Sequence, residues 1–134
     1  MNSKYLVFRL KPGSDLYQGI ITQCVKHRIK AGAIISAVGC VSQVCFRKAD
    51  GKTIYQEISD FEVTSLSGTI SEDGIHVHIQ FCDDSLRCIG GHLQGGTIVN
   101  TTMEIVILDL QAEYRLTRVF DETTGYDELE VEKK

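Results

Sequence analysis

The chain has 134 residues, 43% hydrophobic and 24% charged, the size and mix of one globular core with no internal linker. Fourteen Lys and Arg against eighteen Asp and Glu leave a formal charge of −4. That sign argues against non-specific nucleic-acid binding, which rests on neutralising phosphates.

The remaining compositional signals point to the cytoplasm. The apolar runs are too short for a signal peptide or a membrane span. The cysteines are Cys24, Cys40, Cys45, Cys82 and Cys88, an odd number with no CxxC pair. They read as reduced thiols and not as a zinc ribbon or redox motif. Twelve glycines and a single proline, Pro12, suit strands broken by tight turns.

In chain order, Tyr5 to Leu10 alternates and predicts a first strand, ended by Pro12-Gly13. Ser14 stands where a helix N-cap is expected. Leu16, Ile20, Ile21, Cys24, Val25 and Ile29 then recur at helical spacing, with Gly32 as the residue after the helix. Lys26, His27, Arg28 and Lys30 form the strongest basic cluster, which reads as a solvated helix end. His27 is assigned no role. Ala33 to Arg47 predicts a long strand that bends at Gly39. Asp50-Gly51 signals a hairpin, followed by strands over Lys52 to Ile58 and Phe61 to Ile70. Further strands are expected over Ile75 to Phe81, Arg87 to Leu93, Thr101 to Leu110 and Tyr114 to Phe120, the last closing the sheet. Residues 1–134 then form one domain with a core over about 4–120. The acidic tail, 121–134, is expected to be frayed or held by a partner. One early helix followed by many strands gives an α+β class with a compact, mainly antiparallel, barrel-like sheet.

Three of the four histidines, His76, His78 and His92, fall within seventeen residues. On a strand, His76 and His78 share one face, about 6–7 Å apart at a ~3.3 Å rise per residue. A turn at Asp83 to Ser85 folds the next strand back and brings His92 beside them. Three imidazoles with a fourth position open is the pattern of catalytic zinc; structural sites are usually closed by four protein ligands. Gly90 and Gly91 fit a close backbone approach, or a bulge that re-aims His92. The plainer reading is three polar-face histidines in water. Cys82 shares the parity of His76 and His78, as a rival ligand or a small apolar filler.

Glu104 interrupts the apolar run TTMEIVIL, so it needs a partner, an interface or a catalytic task as acid or base; Arg87 is one candidate partner. No phosphate loop, dinucleotide fingerprint or GxSxG elbow occurs.

Several segments taken together carry a family likeness. Phe61-Glu62-Val63-x-Ser65-Leu66-Ser67-Gly68-Thr69-Ile70 resembles the "FE-hydrophobic-x-SLSG" strand of the PPC domain, the plants-and-prokaryotes conserved domain. His76-Val77-His78 resembles its prokaryotic HxH, Gly90-Gly91-His92-Leu93-x-Gly95-Gly96 its GGHL-x-G segment, and Thr102-x-Glu104 its T-x-E. The resemblance spans about residues 4 to 120. It implies an antiparallel sheet with one packed helix, homotrimeric assembly, and structural roles for Glu62, Gly68, Gly90 and Gly91. It also implies contacts with other proteins more than direct contact with DNA. Plant members grip DNA through attached Arg-Gly-Arg-Pro hooks, a motif this sequence lacks, and prokaryotic members take their DNA-binding label from that company. The HxH followed by a glycine-preceded His is also similar to the ligand set of the zinc enzyme α-acetolactate decarboxylase, a related fold. That likeness implies His76, His78 and His92 as metal ligands.

The expected function is a homotrimeric DNA-binding/regulatory or protein-assembly module, associated with DNA through a partner more than directly, with a divalent metal as an optional feature. The rival expectation is a zinc-dependent lyase or hydrolase with Glu62 or Glu104 as acid or base. A small-molecule or ion sensor using the same pocket is a third.

Overall fold

The longest β-rich run of the sequence folds as the strand on which the others are built. The computed structural model describes residues 4–134. Its elements are β1 (Tyr5–Leu10), α1 (Leu16–Lys26), β2 (Gly32–Arg47), β3 (Ile54–Ser71), β4 (Gly74–Cys82), β5 (Cys88–Leu93), β6 (Ile98–Asp109), β7 (Tyr114–Asp121) and β8 (Tyr126–Lys133). Six strands form one antiparallel sheet in the order β1-β6-β2-β3-β4-β5.

β2 is long enough to serve two neighbours on the same edge. Its first part pairs with β6, and its last residues, Phe46 and Arg47, pair with Leu93 and His92 of β5. The sheet β2-β3-β4-β5 therefore curls until β5 meets β2 again, which gives the barrel-like closure. Register shifts in β2 near Ser36, Cys40 and Val41 accompany this bend, as bulges increase local twist.

Inward residues alternate along the strands of the six-stranded sheet and fill the interior. Phe81 is fully buried and lies between Phe46 and Phe61, with ring centroids 6.0 Å and 5.8 Å away. Each such aromatic or aliphatic side chain contributes about 1.5–3 kcal/mol on burial. Leu16, Ile20 and Cys24 of α1 join the same core.

Several expectations are corrected. The N-cap is Asp15, not Ser14: one carboxylate oxygen accepts from the Gln18 N–H. The other accepts from the Gly96 N–H at 2.7 Å, so this cap also ties the helix start to the β5–β6 turn. The helix ends before Gly32. Arg28 takes the left-handed conformation at φ 58°, the Ile29 N–H reaches the Cys24 carbonyl, and the Arg28 N–H reaches the Val25 carbonyl. Those two bonds satisfy the last carbonyls without a glycine. The two strands expected over 52–70 are one, β3.

The strand expected over Tyr114 to Phe120 does not close the main sheet, and the acidic tail is paired with it instead of frayed. β7 and β8 form their own antiparallel hairpin, from Tyr114↔Lys133 to Asp121↔Tyr126, turning at Thr124-Gly125 with Gly125 at φ 78°. Alternation over Glu128-Leu129-Glu130-Val131-Glu132 supports a strand even though five of the eight residues of β8 are charged.

The cysteine expectation also fails in part. Cys82 and Cys88 are register partners at the turn end of the β4–β5 hairpin, and their sulfurs form a disulfide. Only Cys24, Cys40 and Cys45 are free among the described residues, so the argument from reduced thiols to a reducing compartment lapses. No helix among the described residues is long and apolar enough to cross a membrane.

Candidate metal centre

Alternation along β4 sends Val77, Ile79 and Phe81 into the core and leaves His76, His78 and Gln80 on the outer face. The β4–β5 register sets His78 opposite His92, and the β2–β5 register sets His92 opposite Arg47. Ser67 of β3 stands on the other side of His78. One row across four strands therefore reads Ser67, His78, His92, Arg47.

The three imidazoles converge as the sequence predicts. Ring centroids lie 4.9 Å apart for His76–His78, 5.1 Å for His76–His92 and 5.7 Å for His78–His92. The Nε2 atoms of His76 and His78 are 3.2 Å apart, and one ring nitrogen from each of the three lies within 4.8 Å of the others. Zinc–nitrogen bonds of 2.0–2.1 Å at tetrahedral angles require nitrogens roughly 3.3 Å apart. The His76–His78 pair is already at that spacing, and the His92 ring nitrogen lies within 4.8 Å of both. The donor set fits a divalent cation with affinity for imidazole.

Electrostatics favour the ligating form. Burial, and next the Arg47 charge, lower the His92 pKa from its ordinary 6.5 to about 4. Burial, and next His78, lower that of His76. Both rings are thus neutral at pH 7, with a lone pair to give. The sign of the linkage follows. Between pH 4 and 6.5 the unfolded chain binds more protons at His92 than the folded chain, so stability rises with pH there. The metal-free protein is expected to lose thermal stability as pH falls from about 6.5 toward 4, with the His92→Gln variant showing a shallower slope in a melting series.

Gly90 and Gly91 act through close approach and not through a bulge, since the β4–β5 register runs unbroken from His78↔His92 to Cys82↔Cys88. A Cβ on Gly90 would strike the Ile79 carbonyl, and one on Gly91 the Arg47 carbonyl and the Phe46 ring. The pair lets β5 lie between β4 and β2, which delivers His92.

Other residues singled out in the sequence lie elsewhere. Gly68 faces the His76 carbonyl, where a side chain would not fit. Glu62 is exposed and pairs with Cys82, five residues along β3 from Ser67, or roughly 17 Å at 3.3 Å per residue. Glu104 pairs with Val38, nine residues along β2 from Arg47, and accepts a hydrogen bond from the Thr102 hydroxyl. It is exposed in the single chain, not buried. Arg87 is not its partner: that guanidinium bridges Glu57 and Asp83 at 2.9 Å and 3.0 Å. Cys82, bonded to Cys88, is not a fourth ligand.

Sequence reasoning missed Arg47 and Tyr126. Arg47 Nη2 lies 3.4 Å from His92 Nδ1, and its guanidinium sits over the Tyr126 ring, 5.7 Å from the centroid. Together with Ser65, Ser67 and Lys48 they line a cleft of about 610 Å³ beside His78 and His92. No local pattern marks Arg47, because its place depends on the closure of β5 onto β2.

A family model for the Plants and Prokaryotes Conserved (PCC) domain matches residues 2–111. The bifunctional protein GlmU of Synechococcus sp. (strain JA-3-3Ab) is 42% identical over 125 residues, covering 93% of this chain and 20% of that protein. The chain thus spans about a fifth of the length of the curated relatives it matches. A hypothetical protein from Salmonella cholerae-suis superposes with a TM-score of 0.92 at 29% identity, covering 99% of this chain and 98% of the other. A metal-containing protein from Archaeoglobus fulgidus superposes at 0.75 and 28% identity, covering 94% and 92%. The likeness inferred from the SLSG, HxH and GGHL segments therefore holds, and the chain belongs to the Plants and Prokaryotes Conserved (PCC) domain family.

Proposed function

We propose that this chain is a homotrimeric assembly or regulatory module that carries one divalent cation among His76, His78 and His92, zinc by the chemistry of its ligands. The observation that carries the metal is the convergence of three ring nitrogens within 4.8 Å. The metal content of the Archaeoglobus relative is consistent with it. A module is what the long relatives suggest, since the matched segment is a fifth of a larger protein.

Assembly is supported by the outer face of β1, β6 and β2. Val7 and Val38 are 69% and 58% exposed, and Tyr5 and Ile35 are about half exposed. Val7 pairs with Val106 and Tyr5 with Leu108, so these residues form one apolar stripe and not scattered points. A contiguous exposed apolar stripe on a small protein favours a protein partner. Arg9, Thr102 and Glu104 are hydrogen-bonded to one another in series beside it, a polar border of the kind interfaces carry. DNA is not the direct partner in this reading, given the charge of −4.

The cleft beside His78 and His92 favours a second reading, a metal-dependent lyase or hydrolase. A bound zinc ion supplies Lewis acidity there and lowers the pKa of a bound water. Neither acid expected from the sequence reaches the histidines, so binding without turnover is the primary reading.

The test is elemental analysis with mass measurement on untagged protein. The expected result is a trimer with about one zinc per chain, and a folded His76→Ala/His92→Ala variant with none. A metal-free wild type that stays so when zinc is supplied refutes the metal reading; a monomer at micromolar concentration refutes the trimer.

A further inference from the structure

Among the described residues, Arg47 Nε is the one buried side-chain nitrogen or oxygen without a hydrogen-bond partner. An unmet buried donor costs about 1–3 kcal/mol, and more when charged, so its persistence points to something that completes it. The rest of the guanidinium is little better served. Its Nη2 has one neighbour, His92 Nδ1, at the long distance of 3.4 Å.

Metal ligation removes that neighbour as an acceptor. A neutral imidazole has one lone-pair nitrogen and one N–H. If His92 binds through Nδ1, the metal takes the lone pair that Arg47 faces. If it binds through Nε2, Nδ1 carries the proton and two donors face each other. Either way, a loaded site leaves Arg47 with Nε and Nη2 both in need of an acceptor.

The surroundings fix what kind of acceptor fits. Arg47 is the cross-strand neighbour of His92, and its guanidinium lies against that ring, with Nη2 3.4 Å from Nδ1. Tyr126 stacks on it and restricts its motion. The cleft is lined by Arg47, Lys48, Ser65, Ser67 and Gln80 and by no Asp or Glu; Asp73, Asp127 and Glu128 line the adjoining cleft on the other side of Arg47 and His92. Two donors on one planar edge match the two oxygens of a planar carboxylate.

We propose that the cleft is an anion site in which Arg47 clamps a small carboxylate against the metal ion held by His76, His78 and His92. This rests on the metal reading above and names the ligand class of the same site. Lys48 adds positive charge at the mouth, and Ser65 and Ser67 offer hydroxyls to the body of the ligand.

The test uses the full chain loaded with cobalt(II), whose visible spectrum reports the open coordination position. Acetate and inorganic phosphate are titrated into wild type, Arg47→Met and Arg47→Lys, with cobalt content measured in each. The expected result is a saturable spectral change with acetate. Arg47→Met weakens it at least tenfold with cobalt content retained, and Arg47→Lys, charged but without the planar fork, falls between. Equal acetate affinity in wild type and Arg47→Met overturns the proposal, as does a fully loaded protein that responds to no anion or to phosphate alone. In those cases the metal site stands. A wild type that takes up no cobalt removes the metal reading and this inference together.

Discussion

Replacing Gly91 with valine is expected to destabilise the protein by about 3 kcal/mol, the upper end for forcing carbon into a packed site, and to abolish tight metal binding. The first atom added at this position meets the Arg47 carbonyl oxygen and lies 2.8 Å from a Phe46 ring carbon. Neither can yield cheaply. The carbonyl belongs to β2, and Phe46 is buried against Tyr55 and Phe81. The strand must move away from β2, and His92, the next residue, moves with it. Gly91→Ala is the milder member of the series and keeps the experiment readable if valine prevents folding. Gly95→Ala is the control, since a Cβ there meets only an Asp15 oxygen at 3.8 Å. Urea denaturation with zinc titration of each variant separates lost stability from a displaced ligand. If Gly91→Ala binds zinc as wild type does, the close approach of β5 to β2 does not set the position of His92.

The second large effect is on assembly. If the protein assembles as proposed, changing Val7 and Val38 together to glutamate is expected to give monomers that keep their secondary structure and their capacity to bind zinc. Both valines point outward on the stripe formed by β1, β6 and β2, and both are mostly exposed in the single chain, so the fold does not need them. Val38 also faces Glu104 across the β2–β6 ladder, so a glutamate there adds like-charge repulsion to the loss of apolar area. Sedimentation or light scattering across a concentration series reads the result. An unchanged trimer places the interface elsewhere, the exposed Val119 and Phe120 of the β7–β8 hairpin being the next surface to alter.

What the sequence made legible is what depends on local periodicity. Strict alternation over Ile75 to Phe81 is enough to put His76 and His78 on one face, and the turn after Cys82 is enough to return His92 beside them. The same reasoning found α1, because Leu16, Ile20 and Cys24 recur at its period and are buried. What escaped depends on contacts distant in sequence. Asp15 is the cap in place of Ser14 because Gly96, eighty-one residues on, shares its carboxylate. Arg47 enters the site because a sixteen-residue strand outlasts its pairing with β6 and meets β5 instead.

Two misreadings have other physical causes. Cys82 and Cys88 look unrelated by motif, yet a hairpin that pairs them directly leaves their Cα atoms 4.4 Å apart, within the range a disulfide spans. The acidic composition of the tail predicts a segment frayed or held by a partner. Its alternation, and the Thr-Gly turn before it, were the better signals. That hairpin also brings Tyr126 over Arg47, so the segment dismissed by charge completes the wall of the cleft.

The most direct measurement of the central claim is anomalous diffraction at the zinc edge from crystals of the untagged protein grown with zinc. The account predicts one peak per chain, about 2 Å from a ring nitrogen of each of His76, His78 and His92, absent in crystals of a His78→Ala variant. Ordered rings with no peak between them, or a peak bound elsewhere while these rings stay empty, would contradict it.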